Sequence, residues 1–106
     1  MIPISVVKRD LTRERFDTDK LLKGVLLACN KRPISMNDIE QLVKEIENKI
    51  YTNAKKEINS QDIGEMVMER LKNLDPIAYV RFASVYREFK GIEAFMDEVG
   101  KVFKNI

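Results

Sequence analysis

The sequence has no histidine and no tryptophan, a single cysteine, three prolines and four glycines. Without histidine there is no imidazole base, no Ser-His or Cys-His pair and no histidine metal ligand. With Cys29 as the one thiol there is no internal disulfide and no Cys-x-x-Cys zinc site. No apolar run approaches the roughly 18 residues that span a bilayer. The opening Met1-Ile2-Pro3-Ile4-Ser5 has none of the character of a signal peptide, and a cytoplasmic location is expected. An excess of one charge sign is missing too. Nineteen Lys and Arg against seventeen Asp and Glu leave a net charge of +2, too balanced to signal nucleic-acid binding by itself. Most catalytic templates are thereby excluded.

What remains is an ordinary globular composition, 44% hydrophobic and 34% charged over 106 residues, the size of one domain with one core. Residues 3–9 are rich in β-branched types and read as a strand. Asp10 to Arg13 is polar and turns the chain, and Glu14-Arg15-Phe16 returns as a short second strand. Asp17 is a helix N-cap, followed by Leu21, Leu22, Val25, Leu26 and Cys29 on one face. That helix is expected to stop near Lys31-Arg32-Pro33, since proline disfavours helical geometry in the residue before it.

Ser35 caps a second helix, with Asp38 in a box-like position. Ile39, Leu42, Val43, Ile46 and Ile50 give it the cleanest amphipathic period in the chain. Lys55-Lys56-Glu57-Ile58-Asn59 is a short gap with one apolar residue and a candidate third strand. Ser60 is expected to cap a third helix lined by Ile63, Met66, Val67, Leu71 and Leu74. Asp75-Pro76 is a cap with proline in the first helical position, opening a fourth helix that runs to about Phe89. Gly91 breaks it, and Ile92, Phe95, Met96, Val99, Val102, Phe103 and Ile106 mark a fifth. The expected fold is α+β: four to five helices capped by a hairpin or small three-stranded sheet.

Four features bear on chemistry. Lys20 falls in the first turn of the first helix, where an anion is welcome and a cation is not. With Lys8 and Arg9 on the strand before it, it outlines a phosphate site; spacing alone fits solvated surface charges better. Tyr79, Phe82, Tyr86 and Phe89 form an aromatic stripe, a pattern more often core than nucleobase platform, although a buried tyrosine hydroxyl seeks a polar partner. Glu14 is placed to accept hydrogen bonds from a sugar or an adenine amino group, or else to pair with Arg9 or Arg13. Cys29 reads as a small core hydrophobe. The apolar face of the last helix either covers the bundle or meets a partner.

The run Val6-Val7-Lys8-Arg9-Asp10, with Glu14, Phe16-Asp17 and Lys20-Leu21, resembles the opening motif of the ATP-cone domain, a regulatory nucleotide-binding module. Ala28-Cys29-Asn30-Lys31-Arg32-Pro33, the run from Asp62 to Leu71 and above all Tyr79-Val80-Arg81-Phe82-Ala83-Ser84-Val85-Tyr86-Arg87 resemble the NrdR-type repressors of ribonucleotide reductase genes. Those proteins carry the cone behind a zinc ribbon with four cysteines. Leu11 stands where the family's turn usually has glycine, and Arg15 where proline is frequent. A chain that begins where the ribbon would end is expected to be an excised cone that holds no zinc and binds DNA poorly.

The resemblance implies an effector, ATP or dATP, with magnesium arriving only with the nucleotide. It further implies that Val6 and Val7 offer backbone to the adenine, that Lys8, Arg9 and Lys20 meet the phosphates, and that Glu14 lies near the base or ribose. Asn59 would line the same cleft, and Tyr86 would approach from the fourth helix. A homo-oligomer, contacting through residues 91–106, is the expected partner; the alternatives are a helical interaction module that has lost the nucleotide, or the allosteric ATP-cone of a ribonucleotide reductase.

Overall fold

A computed structural model describes residues 3–53, 56–87 and 92–103, the side chains at 94, 95, 102 and 103 excepted. The chain runs β1 (Ser5–Val7), β2 (Arg13–Arg15), α1 (Thr18–Cys29), α2 (Met36–Asn53), β3 (Glu57–Asn59), α3 (Ser60–Leu74), α4 (Pro76–Arg87) and α5 (Ile92–Phe103). The expected α+β class is what the chain adopts. Phe89, Gly91 and Ile106 lie outside the described residues, as do the side chains of Phe95, Val102 and Phe103.

The three short strands form one sheet in the order β2-β1-β3. β1 is central, antiparallel to β2 with Val6 opposite Glu14, and parallel to β3 with Val7 opposite Asn59. Ile4 and Val6 turn one face of the strand into the helical layer, where both are buried, as strand alternation requires. β3 holds to β1 partly through the Ser5 amide, which donates to the Lys56 carbonyl at 3.0 Å. Ile58 packs against the core from this strand.

Helix α2 is the spine. Ile39, Leu42, Val43, Ile46 and Ile50 are all buried, each removing apolar surface worth about 1.5–3 kcal/mol from water. Val25 of α1 and Val67, Met68 and Leu71 of α3 complete the densest part of the core. The caps follow the sequence closely. Asp17 accepts from the Asp19 amide at 3.0 Å and Ser35 from the Asp38 amide at 3.1 Å. Asp75 accepts from the amides of Ile77 and Ala78 at 2.9 and 3.0 Å. One boundary shifts: Asn59, not Ser60, is the N-cap of α3, and its side chain makes no capping hydrogen bond. Helix α1 ends ahead of Pro33 because Lys31 takes a left-handed conformation, φ 61°, as the residue just past a helix often does.

Long-range polar contacts fasten the helices to one another. Arg81 of α4 donates to the carbonyls of Ala28 and Asn30, at 3.4 and 2.6 Å, and so caps the end of α1. Arg32, in the loop after α1, donates from Nε to both oxygens of the buried Asp75 at 3.2 and 3.0 Å. Helix α5 packs on α4 through Glu98, which is 3% exposed. Its carboxylate accepts from the Tyr79 hydroxyl and from Arg87 at 3.0 Å. Burial, joined by the Glu98 carboxylate, pushes the Tyr79 phenol up to about 12.

Candidate functional site

The end of β1 runs into a tight turn before β2. The Lys8 amide donates to the Thr12 carbonyl at 2.8 Å, and the Leu11 amide donates back to the Lys8 carbonyl at 2.9 Å. Asp10 accepts from both the amide and the hydroxyl of Thr12. Those bonds hold its carboxyl below the usual carboxylate range. The turn places Leu11 at φ 69°. Beside this turn lies the start of α3, brought there by the parallel pairing of β1 with β3.

Between the two is a cleft of about 340 Å³, lined by Val7, Lys8, Arg9, Leu11 and the residues Asn59 to Gln61. The volume is in the range of small-ligand sites. Its chemistry suits an anion. Lys8 and Arg9 stand on one wall. The α3 side of the cleft is a helix N-terminus whose cap residue makes no side-chain capping bond, and the positive end of a helix dipole favours an anion. By contrast, the N-terminus of α1, where Lys20 sits, is already served by Asp17. The helix start beside the basic strand that lacks a side-chain cap is therefore that of α3.

The remaining nominated residues adjoin the cleft through two clusters. In the first, Glu14 holds Lys8 at 3.2 Å and Lys20 at 3.1 Å. This pairing replaces the expected partners of Glu14: Arg13 pairs instead with Glu57 at 3.1 Å, and Arg9 reaches α4. Hydrogen bonds from Lys20 and then Lys8 hold the Glu14 carboxyl below its usual range. In the second cluster, Arg9 donates from Nη2 to the Tyr86 carbonyl at 2.6 Å, and its guanidinium lies 5.4 Å from the centroid of the Tyr86 ring, within cation–π range.

Tyr86 is itself wedged. Its ring is 6.1 Å from that of Phe82, nearly parallel to it, and a Cβ built on Gly64 would fall within it. Its hydroxyl is buried and makes no well-formed hydrogen bond. Burial, joined by the Glu65 carboxylate, pushes this phenol up, and Arg9 opposes the shift. The glycine at position 64 is a requirement that the sequence did not announce.

Val6 lies in the middle of the sheet, its side chain buried and its strand paired along both edges. Val7, half-buried, is the valine that reaches the cleft. Lys8, Arg9 and Asn59 line the cleft directly, Glu14 and Lys20 connect to it through Lys8, and Tyr86 connects through Arg9. A second, apolar cavity of about 250 Å³ lies between α1 and α4 beneath the exposed Leu27 and Val85. The charged residue in its wall, Arg81, is the one that caps α1.

Among the described residues no cluster of three His, Cys, Asp or Glu side chains could hold a metal. No helix among them is long and apolar enough to cross a membrane.

The chain is thus an α+β domain in which a basic strand end meets the start of a helix, on a small sheet backed by helices. The chain belongs to the ATP cone domain family, whose model matches residues 4–92. It is similar to transcriptional repressors NrdR from several bacteria. It is 56% identical to that of Acetivibrio thermocellus over 101 residues, 95% of this chain and 67% of the relative. It is 53% identical to that of a Thermoanaerobacter species over 103 residues, 97% of this chain and 65% of the relative. The repressor of Clostridium kluyveri matches at 50% over 104 residues, 98% of this chain and 69% of the relative. The chain thus spans about two thirds of the length of these relatives, which are named as regulators and not as enzymes.

Proposed function

We propose that this chain is the nucleotide-sensing part of a transcriptional repressor, binding ATP or dATP in the cleft between β1 and α3. The observation that carries the reading is the convergence of Lys8, Arg9 and Asn59 on one free helix terminus, in a chain of the ATP-cone family. Lys8 and Arg9 meet the phosphates together with the first turn of α3, and Lys20 adds its charge from across Glu14. Val7 and Asn59 form the wall toward the base and sugar. Tyr86, held against Arg9, senses whether that arginine has turned to a ligand. Magnesium enters, if at all, with the nucleotide. In keeping with relatives that are named as repressors, the domain senses its ligand and leaves it intact.

ATP and dATP differ by one hydroxyl, and a ligand shifts an equilibrium only by its differential affinity for the two states. A buried polar group satisfied by the 2′-hydroxyl and orphaned without it supplies such a difference. The quantity shifted is the association of copies of the chain. Ile92 and Met96 of α5 are 75% and 57% exposed and give that association an apolar surface. In the whole repressor, acting in the cytoplasm, this change of assembly positions zinc ribbons for paired DNA sites, and the cone itself makes no contact with DNA.

Sizing the chain by light scattering, alone and with saturating ATP or dATP, tests this reading. At least two different masses are expected across the three conditions. A single unchanged mass would overturn it. The exposed Leu27 and Val85 at 77% and 78% favour the second reading, a protein-interaction module, which predicts partner binding indifferent to nucleotide.

A further inference from the structure

Midway along α1 stands Gly24, where a β-carbon would meet nothing beyond its own stretch of helix within 4 Å. Glycine inside a helix costs about 1 kcal/mol relative to alanine, and no neighbour in the chain requires it here. It floors the apolar groove of about 250 Å³ between α1 and α4, whose rims are Leu27 and Val85, 77% and 78% exposed. Bare backbone at the floor of such a groove lets a second helix approach closely. Each rim residue follows a cation by one helical turn, Leu27 after Lys23 and Val85 after Arg81. Both cations are exposed. Arg81 donates to carbonyls, and neither cation has a carboxylate partner among the described residues.

Helix α5 carries a matching surface. It turns a carboxylate inward, Glu98 against Tyr79 and Arg87, and leaves Ile92 and Met96 75% and 57% exposed. A helix that only covers a bundle has the opposite polarity. Ile92 and Met96 lie one turn apart, each followed by an exposed acid, Glu93 and Asp97. One copy cannot bring its own two surfaces together. Tyr79 and Arg87, which hold α5, lie on the face of α4 away from Arg81 and Val85, as 3.6 residues per turn requires.

We infer that the α1–α4 groove receives α5 of a second copy of this chain. Ile92 and Met96 seat over Gly24 between Leu27 and Val85, and Glu93 and Asp97 face Lys23 and Arg81. The inference rests on the self-association proposed above and names its two surfaces. Pairing groove with groove sets Lys23 and Arg81 of one copy against those of the other, a like-charge contact that is costly. The α5 contact is complementary in charge. It is also head-to-tail, so a pair of copies keeps one groove and one α5 unfilled until a ring closes.

The test is sedimentation equilibrium of the parent chain and three variants, each alone and with saturating ATP or dATP. Gly24→Leu fills the groove, Val85→Glu repels the acids of α5, and Met96→Lys repels the cations of the groove. Val85 and Met96 are exposed and Gly24 borders open space, so all three variants are expected to fold, which melting curves verify. The parent is expected to exceed the 12.4 kDa of one chain as concentration rises. Each variant should need at least about 10-fold more protein to do so. Mixing Val85→Glu with Met96→Lys in equal amounts should restore a species of two chains and no larger, because the first keeps an intact α5 and the second an intact groove. Parent-like association by any of the three variants, or a mixture that stays at the mass of one chain, would overturn the inference while leaving self-association in place. A parent chain that stays at the mass of one chain in every condition would overturn both.

Discussion

Leu11 occupies the tip of the β1–β2 turn at φ 69° with 75% of its surface in water. A β-carbon in this region crowds the following carbonyl, at a cost of about 1–2 kcal/mol. The exposed side chain recovers little of that by burial. Leu11→Gly is therefore expected to stabilise the chain by about 0.5–1 kcal/mol, the relief being partly offset by the greater chain entropy of unfolded glycine. Thermal unfolding should show a rise of roughly 2–8 °C, and a lower midpoint would mean that Leu11 makes a contact worth more than its strain. The turn was legible in the sequence from Asp10 and the polar run after it, and the resemblance marked position 11 as a glycine site. That leucine adopts the glycine conformation rather than remaking the turn was not legible, because the choice is made by the pairing of Lys8 with Thr12 across it. The partners of Glu14 escaped for a related reason. Strand alternation puts its side chain on the Val6 face of the sheet, and which cations wait there depends on how α1 docks.

At the scale of elements, the helices were written plainly. Every apolar residue assigned to the inner face of α2 is buried, and the caps at Asp17, Ser35 and Asp75 are made as their residue types predict. β3 was harder to read, with Ile58 alone to anchor it. Asp75 does more than a cap: it ends α3, opens α4 and holds Arg32 from the loop after α1. Burial alone would raise its carboxyl, but the hydrogen bonds from Ala78, Arg32 and Ile77 outweigh that, and the net shift is downward. A depressed folded-state value contributes stability that is full above the ordinary value near 3.8 and is lost as pH falls through the lowered one. Asp75→Asn should therefore lose about 1–3 kcal/mol at pH 7, through a weakened cap and an uncompensated Arg32. It should also lose less than the parent between pH 5 and pH 2. Chemical denaturation at a series of pH values checks both points, and parallel curves for the two proteins would contradict the assignment.

At the scale of the whole molecule, the cleft is a product of topology. Val7 and Asn59 are partners only because β3 returns parallel to β1 after two intervening helices, and Arg9 meets Tyr86 across most of the chain. Hydrophobic period fixes the elements but carries no record of such encounters. Resemblance named these residues together where spacing could not. On the proposed reading, the same long-range contacts would let the cleft report. Arg9 links it to α4, and Arg87, next to Tyr86 in sequence, holds Glu98 of α5, so the helix with exposed Ile92 and Met96 is fastened one residue from the partner of Arg9.

The central claim is that nucleotide binds at the basic end of β1, and titration calorimetry with ATP and then dATP tests it most directly. Saturable, micromolar binding of at least one nucleotide is expected. It should be lost in a chain carrying Lys8→Ala, Arg9→Ala and Lys20→Ala together, since each charge-assisted phosphate contact is worth about 1.5–3 kcal/mol. No saturation with either nucleotide, or undiminished binding by the triple variant, would contradict the account.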